Sequence, residues 1–188
     1  MSRVSQAQAQ ENRARVVAAA AQLFRERGVQ GVGLPDLMKS VGLTVGGFYK
    51  QFTSKNALVI EATEQAFDDR DVYLAGLDGK HSSRSDARGD MVGEYLSREH
   101  RDAPGTGCPT AGFVGDLAQA AHEGNLTSQP AYADGVRRFV DWMGDGDEGL
   151  VATCTLVGAI LLARATSSTE LSEEILRAAR RSITDSLS

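Results

Sequence analysis

Apolar residues recur at the helical period along most of the chain, and no segment shows convincing strand alternation. Between positions 12 and 27, Val16, Ala20, Leu23 and Phe24 lie three, four or one residue apart, with charged residues between them. Gly28 follows this stripe at the position where glycine commonly ends a helix. The pattern predicts an all-α protein with a first long helix ending just before Gly28.

Two short helices are predicted next, separated by a tight turn. The first runs over residues 34–41, with Pro35 and Asp36 in its first turn, and Gly42 ends it. The second begins close after, with Thr44 as its N-cap residue, whose hydroxyl can accept a backbone N–H. Two such helices packed on a longer one form a helix-turn-helix unit, in which the second short helix enters the major groove.

The segment 43–55 (LTVGGFYKQFTSK) carries the most informative chemistry. Phe48 and Phe52 are four residues apart and share one face, so Tyr49 and Lys50 are expected to point outward. Ser54 is predicted to cap the next helix. This places Lys55 in its first turn, where the helix dipole disfavours a cation unless an external anion such as phosphate neutralises it. Solvated side chains on a small apolar helix are the alternative.

Residues 13–58 resemble the DNA-binding domain of the TetR/AcrR family of bacterial transcriptional regulators. The matching stretch is FRERGVQGVGLPDLMKSVGLTVGGFYKQFTSKNAL, of which FYKQFTSKNAL is the most specific part. The resemblance implies a three-helix helix-turn-helix DNA-binding domain over residues 1–56 and a larger helical effector-binding and dimerisation domain over 57–188. It implies phosphate contacts by Tyr49 and Lys55, and a groove-facing set made of Thr44, Val45, Gly46, Gly47, Lys50 and Gln51.

The groove-facing segment departs from the family pattern. Val45 stands where a polar or basic residue is common, and the paired glycines Gly46 and Gly47 leave few side chains to read bases. Base recognition is therefore expected to depend on Thr44, Lys50 and Gln51, on contact between a valine and a thymine methyl group, and on DNA shape. A TetR-like helical partner protein without DNA binding remains an alternative.

The charge distribution supports one DNA-binding end. The whole chain has a net charge of −5, but its first 56 residues carry eight arginines and lysines against three acidic residues. A basic N-terminal third on an acidic body suits docking of one face onto DNA. It argues against non-specific coating of nucleic acid.

The rest of the chain predicts further helices separated by polar loops at 76–90 and 102–107. Their expected ranges are 56–74, 91–100, 110–122, 131–143, 149–165 and 172–187. The fifth is apolar nearly all round from Leu150 to Ala163. The sixth is amphipathic, with a stripe of Leu171, Ile175, Leu176, Ala179, Ile183 and Leu187. The resemblance implies a homodimer through these last two helices and hence a palindromic double-stranded operator. Closing the protein's own core is the alternative role.

A small-molecule effector of unknown identity is implied by the resemblance, in a pocket between the connecting helix and those after it. The sequence contains no basic cluster that would indicate an acidic ligand. The candidate wall residues are Phe67, Met91, Tyr95, Phe113, Leu117, Tyr132, Phe139, Trp142 and Met143.

Cys108 precedes Pro109 at a predicted helix start, where the helix dipole favours the reactive thiolate. This predicts a sensor thiol, and a small residue fitting a tight helix start is the alternative. Cys154 is expected to be inert packing. A cysteine-dependent enzyme using His100 or His122 and Asp116 is a further alternative, but nothing in the sequence brings these groups together. We expect a regulator, in the family's usual sense a repressor released by a small molecule or by thiol modification.

No cofactor or metal is expected, because no metal-ligand spacing, phosphate loop or dinucleotide fingerprint occurs. Residues 1–10 are polar and lack the apolar core of a signal peptide. The apolar run 150–163 is shorter than a membrane span. A cytoplasmic protein without a membrane partner is therefore expected.

Overall fold

Ten α-helices account for most of the chain in this computed structural model, which describes residues 6–187 and side chains as far as Asp185. No strand occurs in that part of the chain, so the all-α prediction is confirmed. A 3-10 turn at Pro104–Thr106 connects α6 to α7. The helices are α1 (Gln6–Arg27), α2 (Leu34–Ser40), α3 (Val45–Phe48), α4 (Lys55–Lys80), α5 (Arg84–Tyr95), α6 (Arg98–Asp102), α7 (Pro109–His122), α8 (Gln129–Met143), α9 (Gly146–Ala165) and α10 (Glu170–Leu187).

The first three helices form the predicted helix-turn-helix unit. Gly28 and Gly42 both adopt left-handed backbone conformations, with φ of 74° and 71°. These conformations favour glycine and end α1 and α2. The Gly28 N–H donates to the Phe24 carbonyl at 2.9 Å, and the Leu43 N–H donates to the Met38 carbonyl at 2.8 Å. The turn between α2 and α3 is therefore as tight as expected.

The predicted loop at 76–90 is wrong. α4 continues to Lys80, and α5 already begins at Arg84. Ser83 caps α5, since its hydroxyl accepts the Asp86 N–H at 3.1 Å. The polar composition of this stretch reflects solvated helix faces rather than a loop. The predicted helix 91–100 is likewise two elements, because α5 ends at Tyr95 and α6 begins after a second serine cap at Ser97.

The apolar core divides into two clusters that share α4. The first cluster is built by α1 to α3 and by the start of α4, and it includes Phe113 and Leu117 of α7. The second joins the end of α4 to α5, α8, α9 and α10. Ala66 belongs to the first cluster and Leu74 to the second. The border therefore lies within α4, and α7 reaches into the N-terminal part. The domain division after residue 56 stays a prediction.

The last two helices pack on each other and leave an apolar outer face. Leu150, Val151 and Leu162 of α9 and Leu171 of α10 are exposed. Most of the predicted α10 stripe packs inward, with Leu176, Ala179 and Ile183 buried. Leu171 instead lies on the outer face, and the Leu187 side chain lies outside the described side chains.

Cys154 is also exposed, in contrast to the inert packing expected of it. The sequence showed an apolar helix but not which of its sides faces the core.

α9 is longer than the apolar run that defined it in the sequence. By length and composition alone it is the one described helix that qualifies as a membrane span, which corrects the expectation that this run is too short. Several of its residues, among them Leu156, Ala159 and Ile160, are buried in the second core cluster. Such burial is typical of a core helix in a helical domain.

Candidate nucleic-acid interface and neighbouring cavity

Two buried aromatic rings support the exposed face around α3. Phe48 and Phe52 are buried and stacked, with ring centroids 5.2 Å apart. Tyr49 packs the edge of its ring against Phe48 and is 65% exposed, and Lys50 is also exposed. Both side chains therefore point outward, as the spacing predicted. Their hydroxyl and ammonium groups are available to an external partner.

Arg13 of α1 holds the end of this face in place. Its Nη1 donates to the Gln51 carbonyl oxygen at 2.7 Å, its Nη2 donates to Glu61 at 2.6 Å, and its guanidinium lies 4.3 Å from the Phe52 ring centroid. The side-chain oxygen Oε1 of Gln51 is buried and has no hydrogen-bond partner among the described residues. Gln51 therefore turns at least this oxygen toward the protein, which differs from the groove-facing role expected of it.

The start of α3 leaves an open surface. Thr44 occupies the N-cap position, but its hydroxyl makes no capping hydrogen bond, contrary to expectation. A Cβ atom added at Gly46 or Gly47 would lie 3.8 Å or more from the nearest heavy atoms, which include Thr44 Oγ1 and Met38 Cε. These are ordinary contacts, so packing within the protein does not require either glycine. Val45 is half-buried beside them.

The ammonium group of Lys55 is hydrogen-bonded within the N-terminal unit. Its Nζ donates to the carbonyl oxygens of Val29 and Val32, at 2.6 and 2.7 Å. Partial burial lowers its pKa, an effect that the carboxylate of Asp116 opposes. The cation is thus balanced by carbonyls of the α1–α2 loop, whereas the sequence suggested an external anion. Its neighbour Ser54 does cap α4 as predicted, accepting the Ala57 N–H at 3.0 Å.

The same loop is held from the other side by α7. Asp116 Oδ1 accepts the Val29 N–H at 2.9 Å, and burial raises the pKa of this carboxyl group. Lys55 and Asp116 therefore fix one loop of the helix-turn-helix unit between α4 and α7. The loop connects α1 to α2, so α7 is hydrogen-bonded to the segment that joins these two helices.

A cavity of about 460 Å³ lies between α1, α4, α5, α8 and the start of α7. Its wall is apolar over most of its area and includes charged groups from several helices. The lining residues are Arg25, Ala66, Asp69, Arg70, Tyr73, Leu74, Met91, Glu94, Tyr95, His100, Thr106, Gly107, Cys108, Pro109 and Phe139. This volume is in the range of small-molecule sites.

Cys108 lies at the N-cap of α7 and contributes its thiol to the cavity wall. Arg25 of α1 donates from Nη1 to the Gly107 carbonyl at 2.7 Å, next to the cysteine. Burial lowers the pKa of both Arg25 and Arg164, and Cys108 opposes that shift in each case. Two half-buried cations thus lie within electrostatic range of Cys108.

His100 is fixed beside this cysteine. Its Nδ1 lies 2.7 Å from the Tyr95 carbonyl oxygen, and its Nε2 accepts the Cys108 backbone N–H at 3.0 Å. A neutral ring protonated on Nδ1 satisfies both bonds, and burial lowers the pKa of His100 to about 4. The ring nitrogen that a general base would use is therefore occupied. Asp116 is bonded to the α1–α2 loop and His122 is exposed at the far end of α7, so neither residue pairs with Cys108 in the described part of the chain.

The sequence profile described as "Bacterial regulatory proteins, tetR family" matches residues 16–62. This range covers most of α1, all of α2 and α3, and the start of α4, which together form the exposed face described above. The chain therefore carries the N-terminal DNA-binding domain of the TetR family. Its α2–turn–α3 unit is thus the helix-turn-helix of a DNA-binding transcriptional regulator.

Solved TetR-family structures share this fold over nearly the whole chain. E. coli NemR in its reduced form is 21% identical, with a TM-score of 0.73, and the match covers 91% of this chain and 96% of NemR. A TetR-family regulator from Agrobacterium tumefaciens is 18% identical, with a TM-score of 0.77 and coverage of 94% and 97%. One from Chloroflexus aurantiacus J-10-FL is 23% identical, with a TM-score of 0.75 and coverage of 95% and 97%. No curated protein sequence matches this one.

Three of the predicted wall residues, Met91, Tyr95 and Phe139, line the cavity. The other predicted residues pack in the core or form hydrogen bonds elsewhere in the protein. Phe113 and Leu117 belong to the first core cluster, the Tyr132 hydroxyl donates to the Thr110 carbonyl, and Trp142 Nε1 donates to Asp78. The predicted residues that do not line the cavity are Phe67, Phe113, Leu117, Tyr132, Trp142 and Met143.

Sequence reasoning missed the charged part of the wall. Arg70 follows Phe67 by three residues and precedes Leu74 by four, so the helical period did place it on the inner face of α4. Arg25 comes from α1. The sequence shows no basic cluster because Arg25 and Arg70 are far apart along the chain and line the same cavity only in the folded protein. Within residues 6–187 no group of three or more histidines, cysteines and acidic residues is arranged to hold a metal ion.

Proposed function

We propose that this TetR-family protein is a ligand-responsive repressor, which binds a palindromic operator as a homodimer and is released when its cavity is occupied or Cys108 is modified. The observation that carries the proposal is the position of Arg25. This residue belongs to α1 of the DNA-binding unit, lines the cavity, and is hydrogen-bonded beside Cys108. The cavity and the DNA-binding unit thus share a residue.

The DNA-binding role rests on the exposed face of α3. Tyr49 and Lys50 project from it, and the exposed Lys39 lies at the end of α2. We assign phosphate contacts to Tyr49 and Lys50 and base contacts to Thr44, Val45 and Lys50, with shape readout across Gly46 and Gly47. A phosphate contact by Lys55 would use its third N–H bond.

Release of DNA would follow from a shift of α7. Gly107 and Cys108 begin this helix, Arg25 ties its start to α1, and Asp116 ties its middle to the α1–α2 loop. A ligand or adduct that displaces the start of α7 favours a different position of the DNA-binding unit. Binding to only one of two arrangements then shifts the population away from the operator-competent one.

Modification of Cys108 is one of the two release routes. Cys108 lines the cavity, close to two half-buried arginines, at the N-cap of a helix. The structure of the similar protein NemR is that of its reduced form. Occupation of the cavity by a small effector is the other route, and the two share the same wall.

The homodimer is assigned to α9 and α10. Leu150, Val151, Leu162 and Leu171 form an apolar face that the chain itself leaves uncovered. Burying such a face against its two-fold copy places two recognition helices on adjacent turns of the major groove. A regulator of this kind acts on DNA in the cytoplasm.

The experiment is a salt-dependent binding titration with the DNA that flanks the protein's own gene. We expect specific binding that weakens steeply with salt. Lys50→Gln is expected to weaken it and to reduce the log–log salt slope by about 0.9 for each phosphate that is no longer neutralised. Lys80→Gln removes the same charge at the exposed end of α4 and should change neither value. Absence of binding at low salt would favour the partner-protein alternative.

A further inference from the structure

Arg70 lines the cavity and carries one buried donor atom that has no partner among the described residues. The residue is only 8% exposed, and its guanidinium lies between the rings of Phe67 and Phe139, at 4.9 and 4.8 Å from their centroids. Its Nη2 donates to Asp71 at 2.7 Å and to the Gly135 carbonyl at 3.0 Å. Its Nη1 is buried and has no hydrogen-bond partner among the described residues. A buried guanidinium N–H without an acceptor is costly.

Tyr95 presents a second such group to the same cavity. It is 7% exposed, and its ring stacks on Phe139 at 6.3 Å and meets His100 edge-on at 4.4 Å. Its hydroxyl lies near the Cys108 thiol, is buried, and has no hydrogen-bond partner among the described residues. Burial raises the pKa of Tyr95 well above 10, so the hydroxyl stays protonated and can donate.

The acidic groups of the cavity lie on its solvent side. Asp69 and Glu94 are exposed, and each already accepts a hydrogen bond, from Gln65 at 2.8 Å and from Tyr73 at 2.5 Å. The buried part of the wall therefore holds hydrogen-bond donors that have no acceptor within the described part of the chain. The wall beside them is apolar, with Leu74, Met91 and Phe139 buried.

We propose that the cavity binds a small carboxylate with an apolar body, whose oxygens accept hydrogen bonds from Arg70 Nη1 and the Tyr95 hydroxyl. The planar guanidinium edge matches a carboxylate, and charge-assisted hydrogen bonds are the stronger kind. The apolar body packs on Phe139, Met91 and Leu74. This inference deepens the proposed function, since it names the chemical class of the effector for the same cavity.

The test measures binding calorimetrically in the absence of DNA, with 4-phenylbutyrate, its neutral analogue 4-phenylbutyramide and its cationic analogue 4-phenylbutylamine. We expect the acid to bind at least about tenfold more tightly than the amide, and the amine to bind more weakly than either. Arg70→Met and Tyr95→Phe are each expected to bring the affinity for the acid close to that for the amide.

Two variants serve as matched controls. Arg138→Met removes the other arginine that binds Asp71, at 2.5 Å, and this arginine does not line the cavity. Tyr132→Phe removes a hydroxyl that donates to the Thr110 carbonyl. Both should retain the preference for the acid. Tyr95→Phe removes a hydroxyl without a protein partner, so it should fold as well as the wild type even if Arg70→Met does not.

Equal affinity for acid and amide, or binding of neither, would overturn the proposal, as would an undiminished preference in Tyr95→Phe. Failure of the proposed function gives a different result. If the acid binds through Arg70 and Tyr95 but leaves operator binding unchanged, the carboxylate site stands and the ligand response does not.

Discussion

His100 joins the two chain segments that flank Cys108. Its two ring nitrogens bind the Tyr95 carbonyl and the Cys108 N–H, so protonation of Nε2 would break the second bond. Burial holds the pKa of this histidine near 4, below its ordinary value of 6.5. The folded chain thus favours the neutral ring at neutral pH.

This arrangement predicts a stability loss in acid. Between about pH 6.5 and pH 4 the unfolded chain binds a proton that the folded chain does not, so the free energy of unfolding falls as the pH falls. The pKa difference corresponds to about 3 kcal/mol at most. Denaturant unfolding at pH 7.5 and pH 4.5 should show a smaller loss for His100→Gln than for the wild type. His122→Gln, at an exposed position, should behave as the wild type does, and an equal pH dependence in all three chains would exclude this role of His100.

Single residues near the proposed DNA-binding face show how much of the site could be predicted from the sequence. The outward positions of Tyr49 and Lys50 follow from the spacing of the two phenylalanines, and the structure shows both side chains exposed. Lys55 and Gln51 were expected on the same surface, but the first is bonded to loop carbonyls and the second turns its side-chain oxygen inward. Local spacing does not reveal partners from a distant loop.

Among the elements, α3 is the least stabilised by its own sequence. Half of its residues are glycines, and each glycine in a helix costs about 1 kcal/mol relative to alanine. The structure leaves room for a methyl group at Gly46, so steric need within the protein does not explain it. In the proposed function, close approach of DNA to this exposed backbone accounts for the glycine.

Gly46→Ala is therefore expected to raise the free energy of unfolding by about 0.5–1 kcal/mol and to weaken operator binding. The matched control is Gly89→Ala in α5, where the glycine is also exposed and an added Cβ would meet nothing within 4 Å. It should give a similar stability gain without affecting DNA. Thermal unfolding and a gel shift on both variants measure this. Undiminished binding by Gly46→Ala would show that this backbone does not contact DNA closely.

The elements themselves were predictable where apolar periodicity is strong. The bounds of α7 and α8 lie within two residues of those read from the sequence, and α2 and α10 are similarly close. The stretch 76–90 was wrong because its polar residues resemble a loop, whereas Ala87 and Met91 supply enough buried surface to hold α5 on the core. Tertiary packing overrides composition there.

At the scale of the whole molecule, the cavity could not be predicted from the sequence. Its wall combines residues of α1, α4, α5, α7 and α8, and only their packing brings Arg25, Arg70 and Cys108 together. The apolar periodicity predicted that Met91, Tyr95 and Phe139 point inward, and the structure confirms this. Periodicity alone does not distinguish residues of the core from residues that line the cavity. The reach of α1 into this wall is the feature on which the proposed control of DNA binding depends.

The assembly is predicted to be a dimer held by the outer face of α9 and α10. Val151 is 65% exposed, and replacing Val151 and Leu162 with glutamate places charges in the proposed interface. Sedimentation should show a dimer for the wild type and a monomer with weakened operator binding for the double variant. Val72→Glu changes a residue of α4 that is 75% exposed, and it should remain dimeric. A monomeric wild type at micromolar concentration would exclude this interface.

Control of DNA binding by the cavity is tested most directly by measuring operator release after treatment with p-benzoquinone. The wild type and Cys154→Ser, which lacks only the exposed thiol of α9, should lose operator binding on alkylation. Cys108→Ser should bind the operator before treatment and keep it afterwards. Equal release of the operator by Cys108→Ser and the wild type, or no release by any of the three proteins, would contradict the sensor role of Cys108.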